Sequence, residues 1–399
     1  MTSDLVRGPI VFLDDEIDKT GLGNKPDINR LITSFKDEGF PCATFNTIPD
    51  DAQRFINNLS SISFLALDWR MDELGSDTST AGIGVPDYIG DNVVELIKEV
   101  RARLFLPIFI FTNEAVEDVT KKLRKANLYD PKNENENFIF IIPKADLLKN
   151  NIQELIEKSL RQSPSIYVLK KWEKEHERAK ANLFNELYES CHHWPKILWE
   201  VGLKDDGLPS ESLRNIVTQN LETRMTPLEF EDEVVTKGEV SNDPKEVRKV
   251  LEGARYVKND NLHCESILPG DLFCTVGNDG KKTYRINIRA SCDTARNKNP
   301  ELYLIRGKNY GSPKKTNFQN NNYIEPTQKV IISNIEGKRA MEFDLNKLEI
   351  IKWDEIKQDR VGRLLDPHLQ RLQQKFGGYI QRQGVPGIPW QALFNADPN

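Results

Sequence analysis

FLALDWRMD, residues 64–72, contains the run on which the fold turns: four apolar residues, Phe64 to Leu67, lead without interruption into Asp68. A short, wholly apolar run bounded by polar residues reads as a strand buried on both faces, the signature of a parallel sheet covered by helices on either side. The same text recurs on both sides of it. IVFL (10–13) runs into Asp14, Asp15 and Glu16; IFIF (108–111) runs into Thr112; FIFII (138–142) is followed by Pro143 and Lys144. Amphipathic stretches separate these runs, giving a βαβ rhythm. Strands are predicted at 9–13, 43–46, 64–67, 107–111 and 138–142, and helices at 27–38, 50–59, 91–103, 115–126 and 147–160. The fold class expected is α/β, a doubly wound five-stranded parallel sheet.

In an open parallel sheet, reactive groups gather beyond the carboxyl ends of the strands. Asp14, Asp15, Asp68, Thr112 and Lys144 each follow or end an apolar run, so one rim is expected to collect them all. Each residue type has a use in phosphoryl transfer to a carboxylate. Asp14, Asp15 and Asp68 offer the hard oxygen ligands that suit Mg²⁺. Asp68 is the candidate nucleophile, forming an aspartyl-phosphate. Lys144 and the Thr112 hydroxyl can each stabilise a phosphoryl oxygen.

With those residues in hand, the first two fifths of the chain resemble the receiver domain of two-component response regulators. VFLDDE matches the acidic opening, DWRMD the acceptor segment, PIFIFTN the threonine strand and PK the lysine. The resemblance implies a flavodoxin-like fold, phosphorylation of Asp68 by a histidine kinase, Mg²⁺ as cofactor, and the backbone carbonyl of Arg70 as the remaining protein ligand to the metal. The chain departs from the pattern at four places. Asp72 and Ala145 stand where proline is usual, Ile141 stands where a switch tyrosine or phenylalanine is common, and residues 72–90 form a long loop, a candidate lid or partner-binding insertion. The rival reading is a receiver fold that serves as an adaptor and is never phosphorylated.

Beyond residue 162 the texture changes twice. Residues 166–191 are long, charged and helical in period, a connecting or dimerising helix. Residues 195–258 read as further helices, with Ser210 or Ser212 as a cap. From about residue 261, short β-prone runs alternate with turn residues, GNDGKK (277–282) among them, so a small antiparallel barrel or rolled sheet is expected, closed by a final helix over 359–382 that is interrupted or ended near Gly377 and Gly378. The domains expected are 1–162, 163–260 and 261–399.

The net charge of −6 speaks against a generally nucleic-acid-coated protein, yet from Leu262 onward 21 Lys and Arg face 15 Asp and Glu. Residues 281–315 concentrate ten basic side chains with Tyr284, Tyr303 and Tyr310 between them, which keeps nucleic-acid binding by this strip open. A solvated β surface is the simpler expectation. Cysteines at 42, 191, 264, 274 and 292 lack paired spacing, so neither a disulfide framework nor a zinc site at His263–Cys264 or Cys191–His192–His193 is expected. No signal peptide or bilayer-spanning run is read, and a cytoplasmic location fits. The C-terminal part resembles, loosely, receiver proteins encoded beside Hsp90-like ATPases or sensor kinases in bacterial anti-phage defence loci. That implies a histidine kinase or an Hsp90-like ATPase as partner.

Overall fold

The apolar runs do pair as parallel strands. The computed structural model describes residues 5–17, 27–59, 61–71, 90–130, 137–147, 151–204, 209–238, 243–295, 298–310, 318–319, 322–323, 328–333, 335 and 340–382. The chain divides into two compact units, one of Met1–Glu189 with Gln219–Glu239, the other of Ser190–Thr218 with Val240–Asn399.

In the first unit the order is β1 (Ile10–Leu13), α1 (Asp27–Asp37), β2 (Cys42–Phe45), α2 (Ala52–Asn57), β3 (Phe64–Asp68), α3 (Asp91–Arg101), β4 (Ile108–Thr112), α4 (Val116–Lys125), β5 (Ile139–Pro143), α5 (Lys144–Leu147) and α6 (Ile152–Gln162). The five strands are all parallel, in the order β2-β1-β3-β4-β5. That is the flavodoxin-like order of a doubly wound sheet. Strands β1, β3 and β4 are buried along their whole length, which is why their sequences carry no polar alternation. Phe12, Phe35, Phe64 and Phe109 meet edge-on or tilted in the core beneath them. The helix expected over 147–160 is α6, preceded by the one-turn α5; its start is set by Asn151 accepting from the Gln153 backbone N–H at 3.1 Å. Helix α3 opens at Gly90, with φ +80° and Trp69 so close that a Cβ would lie 2.6 Å from the indole ring.

Helices continue as α7 (Pro164–Ser190), α8 (Trp194–Lys204), α9 (Pro209–Arg224), α10 (Asp232–Val235) and α11 (Pro244–Gly253). Proline at the first position of α9 is pre-set for a helix start, so Ser210 and Ser212 lie inside the helix and not at its cap. Segment 219–239 returns to the first unit. There Val234 joins the core, Phe230 meets the Tyr167 ring edge-on, and Glu231 takes the Arg161 guanidinium and the Tyr167 hydroxyl.

The second unit carries β6 (Tyr256–Lys258), β7 (Asp271–Val276), β8 (Lys282–Asn287), α12 (Ser291–Ala295), β9 (Glu301–Asn309), the small pair β10 (Phe318–Gln319) and β11 (Asn322–Tyr323), β12 (Lys329–Ser333), β13 (Ala340–Lys352), α13 (Trp353–Ile356), β14 (Arg360–Leu364) and α14 (His368–Gln381). Seven strands form one antiparallel sheet, β12-β13-β9-β8-β7-β14-β6, compatible with the rolled sheet expected, with β12 and β6 at its two edges among the described residues. GNDGKK makes the β7–β8 hairpin turn, with Gly280 at φ +73°. The expected helix over 359–382 is corrected: its first part is β14, and α14 runs through Gly377 and Gly378 without a break. A bulge between Arg360 and Gly362 lets both Arg360 and Arg363 reach segment 259–271. Arg363 Nε donates to the fully buried Asp271 at 2.7 Å, while Arg360 donates to Asn259 Oδ1 and to the carbonyls of Ser266 and His263.

Candidate functional site

Parallel pairing puts the carboxyl ends of β1, β3 and β4 at one edge, and α5 begins with Lys144 directly after β5, so the four elements present their polar ends together. Asp14, Asp68, Thr112 and Lys144 are all buried, at 1%, 5%, 1% and 4% exposure, and Asp15 is half-buried. Four buried polar side chains side by side at a rim are costly unless paired.

The pairing is centred on Lys144. Its Nζ stands 3.0 Å from Asp14 Oδ2 and 3.1 Å from Asp68 Oδ1, with Glu16 Oε2 at 3.4 Å. Asp14 also accepts from the Glu16 backbone N–H at 2.9 Å. Carboxylate oxygens of Asp14, Asp15 and Asp68 lie within 4.8 Å of one another. Lys144 thus stands among Asp14, Asp68 and Glu16, with Asp15 beside them.

The acids titrate accordingly. Burial pushes the Asp68 carboxyl up to about 6, and the neighbouring Asp14 adds to the rise while Lys144 opposes it. Burial likewise raises Asp14 against the pull of Lys144. For Lys144, burial disfavours the charge, but Asp68 and Asp14 outweigh it and hold the ammonium above the ordinary lysine range. The lysine stays charged; it is the carboxylates that carry the strain.

The donor set suits a hard divalent cation: three carboxylates converge, each offering an oxygen within 4.8 Å of the others. Thr112 ends β4 with its hydroxyl accepting from the Glu114 backbone N–H at 2.9 Å. Arg70, two residues past Asp68, is half-buried and turns its guanidinium to the Glu114 carboxylate. The sequence names Glu16 in the acidic run after β1 but gives it no role, and it does not foresee the Arg70–Glu114 pair. Glu16 sits in the same acidic run as Asp14, a visible signal, whereas a pair 44 residues apart leaves none.

In the second unit, several of the basic side chains of 281–315 have acidic partners. Arg285 and Arg306 both face Glu349, at 2.6 and 3.6 Å, and Lys308 stands 3.8 Å from Glu342. Arg289 lies over the Tyr303 ring. Arg296, Lys314, Lys315 and the loop 72–89 fall outside the described residues. All five cysteines are free thiols. Among the described residues no helix is long and apolar enough to cross a membrane.

No protein-family profile matches the chain. No curated protein matches it either. Among solved structures, a CheY-like response regulator receiver domain protein from Methanospirillum hungatei aligns at 16% identity and a TM-score of 0.22, covering 39% of this chain and 95% of that one. A fusion carrying the yeast Spc42 trimeric coiled coil aligns at 15% identity and a TM-score of 0.24, covering 39% of this chain and 80% of that one. The fold assignment rests on strand order and direction, not on these scores.

Proposed function

We propose that the first unit is a phospho-acceptor receiver whose Asp68 takes a phosphoryl group from a histidine kinase. The observation that carries this reading is the convergence of Asp14, Asp15 and Asp68 on one rim with Lys144 Nζ 3.0–3.1 Å from two of them. In the reaction, an Asp68 oxygen attacks phosphorus, the bond from phosphorus to the donor imidazole breaks, and the imidazole nitrogen leaves with the electron pair. Lys144 pairs with a phosphoryl oxygen, and the Thr112 hydroxyl donates to another. Asp14, Asp15, Asp68 and the Arg70 carbonyl would hold Mg²⁺. When bound, that ion supplies positive charge against the incoming phosphoryl oxygens.

The added charge then changes contacts at the rim, and the second unit acts as the output or interaction module, in a bacterial signalling setting that includes anti-phage defence. A kinase or an Hsp90-like ATPase is the partner this reading implies, and helix α7 is the surface proposed for a homodimer.

Incubation with Mg²⁺ and a small phosphodonor, followed by intact mass measurement, tests the central claim. Wild type is expected to gain one phosphoryl mass and Asp68→Asn none. Equal gain in both removes Asp68 as the acceptor. No gain in either favours the adaptor reading, for which Ile141 in place of an aromatic switch residue is the supporting feature.

A further inference from the structure

One face of the second unit's sheet is charged over half its width. Strand pairing sets Phe273 opposite Arg285, Arg285 opposite Arg306, and Lys308 opposite Glu342, so these side chains share that face. Its other half is closed where Phe273, Leu302 and Leu304 pack with Trp353 and Ile356 of α13. In the charged half, Glu349 is shared by Arg285 at 2.6 Å and Arg306 at 3.6 Å. Glu342 Oε1 is likewise shared by Lys329 at 2.9 Å and Lys308 at 3.8 Å. Asp344, opposite Lys329 in register, has Lys347 at 3.8 Å. Among the described residues, each of the two shared carboxylates thus serves two cations. Arg285 and Arg306 also stand directly across β8 and β9 from each other, an arrangement of like charges that costs stability. The cations are outermost: Arg306, Lys308 and Lys329 are 48%, 72% and 36% exposed, whereas Glu342 and Glu349 are 9% and 28% exposed.

We propose that this face binds a single strand of nucleic acid by its phosphates, with Arg306, Lys308 and Lys329 as the contacts. Arg306 and Lys308 lie two residues apart along β9, about 7 Å, and Lys329 lies two strand spacings away, about 10 Å. A flexible backbone laid across the strands can meet all three in turn. The Arg306 guanidinium offers paired N–H donors that match phosphate oxygens, and the two lysines act as point charges. Arg285 is a positioning residue: it holds Glu349, which in turn orients Arg306. Glu342 does the same for both lysines, keeping them extended over the face instead of free in solvent. A duplex fits less well. The charged strands from β8 to β12 span about 14 Å, wider than the roughly 12 Å major groove, so the sheet cannot enter it. The inference does not depend on Asp68 accepting a phosphoryl group, and either can fail without the other.

The test is fluorescence anisotropy of labelled oligo(dT) and oligo(U), each about 12 nucleotides long, titrated with the full chain at several salt concentrations. Wild type is expected to bind at about 50 mM salt, and the logarithm of its association constant to fall against log salt with a slope of about −2, as three phosphate contacts require. Arg306→Gln and Lys308→Gln should each weaken binding by about threefold or more and shrink the slope by about 0.7. Arg289→Gln serves as the control. It removes a cation from the same basic stretch, but one whose guanidinium lies over the Tyr303 ring on the other face, and binding should stay at the wild-type level. Thermal midpoints of all three variants should stay close to wild type, since exposed ion pairs contribute little to folding. Several results overturn the proposal: no binding by wild type at low salt, a duplex of the same length bound as tightly, or polyglutamate displacing the oligonucleotide as well as unlabelled strand does. A slope that Arg306→Gln and Lys308→Gln leave unchanged overturns it too.

Discussion

Asp68 takes up its proton near pH 6 in the folded chain, against about 4 for an ordinary aspartate. Above that range folded and unfolded states both hold a charged carboxylate, and the folded one bears the cost of burying it. As pH falls from 6 toward 4 the folded state binds the proton first, and the cost disappears. In metal-free buffer Asp68→Asn is therefore expected to raise the unfolding free energy at about pH 8 by roughly 1–3 kcal/mol, and to lose that advantage by about pH 4; denaturant melts at both pH values check it. Because protons and a divalent cation compete for the same oxygens, Mg²⁺ affinity by calorimetry should climb as pH rises through about 6. Lys144→Met leaves Asp14 and Asp68 facing each other without their cation. A loss of about 3–5 kcal/mol is expected, recovered in part by millimolar Mg²⁺; a melt that Mg²⁺ does not shift would contradict the metal assignment. These residues could be located from sequence because each ends or follows an apolar run, and strand ends are where parallel sheets place their chemistry. The Arg70 side chain could not, because its partner Glu114 is chosen by the meeting of two loops that local sequence does not encode.

At the scale of elements, burial on both faces made β1, β3 and β4 legible as uninterrupted apolar runs. DRVGRLL failed the same test for a physical reason. Val361, Leu364 and Leu365 fall at helical spacing, yet the gap between β6 and β7 and the two arginine contacts hold residues 360–364 extended. Local propensity lost to tertiary pairing. The buried Asp271 is the counter-charge for that strand: burial raises its carboxyl while Arg363 draws it back down. Asp271→Ala would leave both Arg360 and Arg363 without it. A destabilisation of about 3–5 kcal/mol is expected, read as lost amide-exchange protection in β14 and β7. At Gly90 the combination of positive φ and the Trp69 ring makes alanine costly. Gly90→Ala should remove about 1–3 kcal/mol and loosen the first turn of α3, while leaving the second unit's exchange unchanged.

For the whole molecule, separate cores imply separate responses. The acidic rim belongs to the first unit and Asp271 to the second. Thermal unfolding followed by exchange should show Mg²⁺ protecting the first unit and Asp271→Ala exposing the second. The units are nevertheless not consecutive pieces of chain. The polypeptide passes into the second at Ser190, comes back at Gln219 and departs again at Val240. An expression fragment stopped at residue 189 would leave behind Phe230, Glu231 and Val234, stripping Tyr167 and Arg161 of their partners. Neither unit can be moved to another gene by one crossover: recombination that respects both cores needs three junctions, so the pair is expected to be inherited as a block.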